Sequence, residues 1–156
     1  MANIKLKRSE NVDGNFYVDE SCINCGTCYW VAPDVFEMQG TMSAVKAQPK
    51  FKSEATKAYR ALYSCPTNSI GVEVLDSLGK KLAKEFPYQL DDNVYHTGFH
   101  SEATYGAASY FIKTGLNNIM IDSPRYNKNL VTRILLLGGL EYQLLTHKDD
   151  VGDTDL

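Results

Sequence analysis

Cys22-Ile-Asn-Cys25-Gly-Thr-Cys28 and Cys65-Pro66 contain all four cysteines of this chain. Three thiols spaced two residues apart let one tight loop present three ligands to a metal centre, and the fourth follows after 36 intervening residues. Gly26 suits such a loop because glycine adopts a positive φ most readily. Pro66 fixes its own φ and lacks an N–H donor, which shapes the chain beside the fourth thiol. These two stretches decide the fold of the first half.

The cysteine pattern indicates an iron–sulfur cluster rather than disulfides. The first ten residues lack the apolar core of a secretory signal, so we expect a reducing, cytoplasmic setting. A structural zinc site is the alternative, but it typically uses two Cys-x(2–4)-Cys pairs rather than a triplet and a distant Cys-Pro. The Cys-x4-Cys-x2-Cys spacing of a plant-type [2Fe-2S] site is absent. Four unligated thiols would not predict so regular a spacing.

The first half resembles the bacterial ferredoxins in their single-cluster form. Three segments carry the resemblance: Phe16-Tyr-Val-Asp-Glu-Ser-Cys-Ile-Asn-Cys-Gly-Thr-Cys28, Ala32-Pro-Asp-Val-Phe36 and Tyr63-Ser-Cys-Pro-Thr-Asn-Ser-Ile70. The resemblance implies that Cys22, Cys25, Cys28 and Cys65 hold one [4Fe-4S] cluster that passes single electrons. Residues 48–62, where two-cluster relatives carry a second triplet, contain no cysteine. Cysteine rather than aspartate at position 25 favours four irons over three.

We expect an α+β fold in which residues 1–75 form a ferredoxin-like βαββαβ cluster domain. Its predicted elements are a strand at 16–18, a helical turn at 28–32, strands at 36–38 and 43–47, a helix at 53–63 and a strand at 70–75. Ser53 is the predicted helix cap. The loop N–H groups of residues 23–27 and the Thr27 hydroxyl are predicted to donate to sulfur.

Several apolar side chains could shield the cluster from water, or could simply form a small core. They are Phe16, Trp30, Val31, Val35, Phe36 and Ile70. Residues 76–92 are predicted to be a connector that contains a short amphipathic helix. The charges at Lys80, Lys81, Lys84 and Glu85 would form a solvated face or a patch that docks an acidic partner.

The last segment, residues 93–156, has a different pattern. We predict strands at 94–97, 107–113 and 119–121, a helix at 126–137 ended by Gly138-Gly139, and a strand at 141–145. This order, followed by Thr146-His147 and aspartates, resembles the N-terminal portion of the metallo-β-lactamase fold. In that family a Thr-His-x-His-x-Asp-His segment begins a dinuclear metal site. Asp149 stands at the second histidine position here, so the motif matches only in part.

We therefore predict a small, incomplete α/β segment. The later metal ligands of the hydrolase family are missing from this sequence. A second metal site would use His147, Asp149 and Asp150. Asp149, Asp150, Asp153 and Asp155 could also bind a hard cation or form a solvated acidic tail. His96 and His100 are expected to be ordinary polar side chains. Strand edges at 119–121 and 144–145 should lack partners, which favours a homodimer or docking on a larger protein.

Composition limits the possible functions. The chain has 156 residues, 44% of them hydrophobic and 22% charged, with a formal net charge of −3. It has room for one domain or two small ones, and nothing in its charge indicates nucleic acid. No apolar run approaches the roughly 20 residues that span a bilayer.

We expect an electron carrier for redox partner proteins rather than an enzyme in its own right. The alternatives are a fragment of a ferredoxin-fused metallo-β-lactamase-like hydrolase, or an iron–sulfur binding or sensor module.

Overall fold

The computed structural model of the chain describes residues 2–149 and 151–154. It divides into two compact units, Met1–Ala83 and Lys84–Leu156. The sequence-based boundaries were 1–75, 76–92 and 93–156, and the structure places the division inside the predicted connector.

The first unit contains four strands and three α-helices among its described residues. They are β1 (Phe16–Val18), α1 (Thr27–Val31), β2 (Phe36–Gln39), β3 (Met42–Val45), α2 (Lys52–Ser64), β4 (Ile70–Val72) and α3 (Ser77–Leu82). A short 3-10 helix, Ile4–Leu6, precedes them. β1 pairs antiparallel with β4, and β2 pairs antiparallel with β3. The order βαββαβ through β4 agrees with the prediction.

The side-chain amides of Asn11 and Gln48 connect β1 to β3 and to the segment after it. β1 and β3 are not paired with each other as strands. Asn11 Oδ1 accepts hydrogen bonds from the N–H groups of Val18 and Val45, both at 3.0 Å, and its Nδ2 donates to the Val18 carbonyl. Gln48 Oε1 accepts from Phe16 N–H at 2.9 Å, and its Nε2 donates to the Phe16 carbonyl. These amides satisfy backbone groups that would otherwise be buried without partners.

Helix α2 packs its small and aromatic residues into the core and delivers the fourth cysteine at its end. Ala58, Tyr59 and Ala61 are buried, and the Tyr59 ring meets Phe16 edge-on at 4.9 Å. The predicted cap, Ser53, lies inside the helix, so that prediction was wrong. Phe51 is the cap residue, and the Glu54 carboxylate accepts from its N–H because a carboxylate suits the helix N-terminus.

The predicted connector holds α3 and a strand of the second unit. Asp76 Oδ1 accepts from Gly79 N–H at 2.8 Å and begins α3, and Leu82 is buried. A Cβ on Gly79 would lie 2.5 Å from the Tyr59 ring, so glycine permits the close approach of α3 to α2.

The second unit is a five-stranded sheet with one helix. Its elements are β5 (Tyr88–Asp91), β6 (Val94–His96), β7 (Tyr110–Ile112), β8 (Ile119–Ile121), α4 (Lys128–Leu136) and β9 (Tyr142–Leu144). The spatial order is β5-β6-β7-β8-β9, with β8 and β9 parallel and the other pairs antiparallel. α4 makes the crossover that a parallel pair requires.

The residues at each end of α4 explain where the helix begins and ends. Asn127 Oδ1 accepts from the N–H groups of Asn129 and Leu130 and caps the helix. Gly138 and Gly139 take φ values of 113° and 78° and end it, as predicted.

The strand edge predicted at 119–121 is not free, because β8 lies between β7 and β9. β9 is an edge of the sheet, in agreement with the edge predicted at 144–145, and Tyr142 and Leu144 are exposed. Self-association stays a prediction. Within the described ranges, no helix is long and apolar enough to cross a bilayer.

Candidate metal centre

All four cysteines line one pocket in the first unit. Cys22 and Cys25 lie on the loop between β1 and α1, Cys28 lies in α1, and Cys65 follows α2. Cys28 and Cys65 are each 7% exposed, whereas Cys22 and Cys25 are partly buried. The fold thus brings the distant Cys65 to the same pocket as the triplet.

The triplet loop depends on residues with positive φ. Gly26 has φ 85° and Asn24 has φ 54°. Left-handed backbone is readily adopted by glycine and tolerated by asparagine. A Cβ on Gly26 would also lie 3.1 Å from the Tyr29 hydroxyl oxygen. The predicted role of Gly26 in the loop is therefore confirmed.

Cys65 reaches the pocket because α2 ends before a proline. A residue preceding proline is driven out of the helical region, and Cys65 has φ −61° and ψ 121°. Asn68, with φ 54°, then turns the chain back, and Ser69 N–H donates to Cys65 Sγ at 3.3 Å.

Backbone and hydroxyl groups surround the other sulfur atoms. Cys22 Sγ accepts hydrogen bonds from Asn24 N–H at 3.4 Å and from Ser43 N–H at 3.5 Å. The Cys25 thiol donates to Thr27 Oγ1 at 3.3 Å. Asn24 belongs to the predicted donor loop. Thr27 was predicted to donate to sulfur, but its hydroxyl oxygen accepts from the Cys25 thiol.

Sequence reasoning missed three polar residues of this pocket: Ser43, Thr67 and Ser69. Thr67 and Ser69 follow Cys65 by two and four residues, so their closeness in sequence was an available signal. Ser43 lies on β3, distant in sequence from every cysteine, and only the tertiary fold brings it there.

Burial disfavours ionisation of the cysteine thiols when no metal is bound. It raises the pKa of Cys28 to about 12, and the neighbouring Ser43 hydroxyl acts in the opposite direction. Burial also raises the pKa of Cys65, against hydrogen bonds from Thr67 and the following backbone. A bound cationic metal would reverse this preference, because coordinated thiols lose their protons.

The donor set fits an iron–sulfur cluster better than a mononuclear ion. The pocket presents four thiols, N–H donors to sulfur, and the apolar side chains of Val18, Ile23 and Ile70. In the described part of the chain, no three Cys, His, Asp or Glu side chains are arranged to hold a single metal ion.

Only some of the apolar side chains that were predicted to shield the cluster line the pocket. Ile70 lines it, whereas Phe16, Val35 and Phe36 belong to the buried core of the unit. Trp30 is 57% exposed, so it does not shield the pocket as predicted.

The second metal site, predicted at His147, Asp149 and Asp150, stays a prediction. His147 and Asp149 are exposed neighbours, with Nδ1 3.9 Å from Oδ2, and Asp149 N–H donates to the same Nδ1. Asp150 and Asp155 lie outside the described residues. Asp153 Oδ2 accepts from Tyr126 N–H at 2.7 Å.

His96 and His100 were expected to be ordinary polar side chains, but the structure brings them together. Their Nε2 atoms lie 2.9 Å apart, and the side chains are 0% and 1% exposed. Burial, with a smaller contribution from Arg125, lowers the pKa of His100 to about 4. The spacing of four residues across a strand end was the signal in the sequence.

The first unit is similar in sequence to known proteins. Residues 18–72 match the family model described as the 4Fe-4S single cluster domain of Ferredoxin I. A protein named Ferredoxin from Thermococcus litoralis is 41% identical over 54 residues, which is 35% of this chain and 88% of that relative. No solved structure matches the chain.

Proposed function

The chain belongs to the ferredoxin family through its first unit, and from this premise we propose that it binds one [4Fe-4S] cluster and carries single electrons. The proposed ligands are Cys22, Cys25, Cys28 and Cys65. The convergence of these four thiols on one pocket is the observation that carries the proposal. The chain has no further cysteine for a second cluster.

When bound, such a cluster stores one electron with little structural change. The residues of the chain hold it, shield it and set its potential. Cys28 and Cys65 form the buried side, while the partly buried Cys22 and Cys25 lie on the more accessible side. We expect redox partner proteins to exchange electrons from that side.

The test is anaerobic purification followed by iron, sulfide and zinc analysis and by electron paramagnetic resonance after dithionite reduction. We expect about four irons and four sulfides per chain, and a reduced S = 1/2 signal. Zinc in place of iron and sulfide would refute the proposal. A cluster that is bound but cannot be reduced reversibly would favour the sensor or structural role.

A second candidate function concerns the second unit, which we propose to be related to the start of a metallo-β-lactamase fold. Asp122, after β8, accepts hydrogen bonds from Thr146 N–H at 2.8 Å and from Thr146 Oγ1. This contact joins the Ile-Asp and Thr-His segments on which the resemblance rests.

Hydrolysis would need metal ligands supplied by a further segment or chain. The test is zinc or iron in excess of the cluster, together with ester or thioester cleavage that His147→Ala abolishes and Lys148→Ala does not. Absence of excess metal and of cleavage would reject this candidate.

A further inference from the structure

β9 leaves one edge of the second unit's sheet open. In the described part of the chain this strand has a neighbour, β8, on one side only. Tyr142 N–H donates to the Asn118 carbonyl, and the Leu144 carbonyl accepts from the N–H that follows β8. Both residues therefore direct backbone groups towards β8. Since these groups alternate in direction along a strand, the N–H and carbonyl of Gln143 point outwards from the sheet.

The opposite edge of the same sheet is protected, whereas β9 is not. β5 follows Pro87 and carries Asp91, and its register with β6 shifts between Gln89 and Asp91. Proline, charge and irregular register are features by which edge strands avoid pairing with other chains. β9 reads Tyr142-Gln143-Leu144, without proline or charge, and its register with β8 is continuous. β9 is thus suited to an added strand.

Apolar side chains are exposed on both faces of the sheet beside this edge. Tyr142 and Leu144 are 52% and 53% exposed, and they share one face because they lie two residues apart. On the other face, Gln143 and α4 line a groove. Leu135 lines this groove from α4 and is 66% exposed. Exposed apolar surface beside an unpaired strand indicates an interaction site.

The sequence of β9 fits a second copy of itself in antiparallel orientation. With a two-fold axis at Gln143, the two Gln143 residues exchange both N–H to carbonyl bonds, as directly opposed residues of an antiparallel pair do. Each Tyr142 then lies opposite Leu144 of the other copy. Such cross-strand pairs of an aromatic and an aliphatic side chain stabilise a sheet.

The neighbouring symmetric registers are less favourable. A centre at Glu141 would place two carboxylates directly opposite each other, which destabilises a strand pair. A centre at Leu145 would need the chain beyond Thr146, whose N–H instead donates to the Asp122 carboxylate at 2.8 Å. With the centre at Gln143, the two copies of Glu141 lie about 14 Å apart, which exceeds the screening length of about 10 Å at 0.1 M salt.

We propose that β9 pairs antiparallel with β9 of a second copy of this chain, centred on Gln143, so that two five-stranded sheets form one continuous sheet. Because α4 crosses from β8 to β9, the pairing also brings both α4 helices to the same face of that sheet. The inference does not rest on the proposed function of the cysteine pocket. It assigns a surface and a register to the self-association that the sequence predicts.

Sedimentation equilibrium of the purified chain over about 1–200 µM tests the pairing. The wild type is expected to approach a mass of about 35 kDa, twice the 17.4 kDa of one chain. Gln143→Pro removes the outward N–H and leaves the ladder with β8, so the dimer dissociation constant should rise by at least about tenfold. Gln143→Ala keeps the N–H and is the matched control, which should dimerise like the wild type.

Complementary charges test the register. Gln143→Lys and Gln143→Glu each place like charges directly opposite in a pair of identical copies, so each variant alone should be monomeric. An equimolar mixture should form a mixed dimer, because the proposed register places residue 143 opposite residue 143. Amide spectra of each variant alone verify that the second unit is folded.

Every outcome decides for or against the pairing. A wild-type chain that stays monomeric at the highest concentration would overturn the inference, and so would a dimer whose dissociation constant is the same in the proline, lysine and glutamate variants. If Gln143→Pro does not fold, the mixture decides: reassociation supports the pairing, and its failure refutes it. Iron and sulfide content of the same samples reports separately on the cysteine pocket, so the proposed function can fail while this inference holds.

Discussion

At the scale of single residues, small features of the backbone control where the thiols lie. Gly26 and Asn24 supply the positive φ values that let the loop turn between cysteines, and Pro66 keeps Cys65 out of the helix. In the second unit, the buried contact of His96 with His100 needs one ring nitrogen to donate and the other to accept. A single proton can therefore disturb it.

Gly26→Ala should weaken both folding and cluster binding. We expect a loss of about 1–2 kcal/mol from left-handed backbone strain, with a further loss from crowding against Tyr29. Gly40→Ala is the matched control, since Gly40 has φ 67° but nothing within 4 Å of the added Cβ. Urea unfolding and iron content would be compared. Equal effects of both substitutions on iron content would contradict the prediction.

Acid should destabilise the second unit through His100. Its folded pKa, about 4, lies below the ordinary histidine pKa of 6.5, so the unfolded chain binds the proton more readily. The contribution of neutral His100 to the free energy of unfolding is therefore fully present above about pH 6.5. It is lost as the pH falls towards 4, and the total loss is about 3 kcal/mol.

This loss can be measured by urea unfolding followed through the amide signals of β6 and β7 between pH 7 and pH 4.5. The His100→Gln variant should lose most of the pH dependence, whatever its stability at pH 7. A wild-type profile that stays flat over this range would refute the assignment.

At the scale of elements, side chains replace missing strand pairings. Asn11 connects β1 to β3, and Arg8 ties β2 to β3, so the hairpin that carries Ser43 is held by polar side chains as well as by its own ladder. Buried hydrogen bonds of this kind are specific because leaving a buried N–H or carbonyl unpaired is expensive.

Asn11→Ala should destabilise the first unit by about 3 kcal/mol, because several buried backbone groups would lose their partner. Asn15→Ala is the control. Asn15 also bonds both backbone groups of Val74, but at an exposed site where water can replace it, so its loss should stay below about 1 kcal/mol. Denaturant unfolding of the two variants gives the comparison, and similar losses would argue against the role of burial.

At the scale of the whole molecule, two units with separate elements divide the chain at Ala83. The pocket of four cysteines belongs wholly to the first, and the His96–His100 contact belongs wholly to the second. Metal binding should therefore couple to the folding of one unit only.

Removal of the cluster with a chelator and an oxidant should unfold or loosen the first unit while the second keeps its structure. Amide spectra recorded before and after treatment would show lost dispersion for residues 16–72 and unchanged signals for residues 88–144. Simultaneous collapse of both sets would mean that the units fold as one.

The sequence by itself determined the chemistry of the pocket, the order of its elements and the family of the first unit. Ligand spacing, glycine and proline are local properties, and local patterns are readable along the chain. Only the tertiary structure decided that Ser43 lines the pocket of the cysteines and that Arg8 bonds to its carbonyl. It also decided that β5 lies within the predicted connector, that β8 is paired on both sides, and that two histidines meet. These facts depend on contacts between residues on different elements, where hairpin position, burial and sheet order act together and leave no periodic signal.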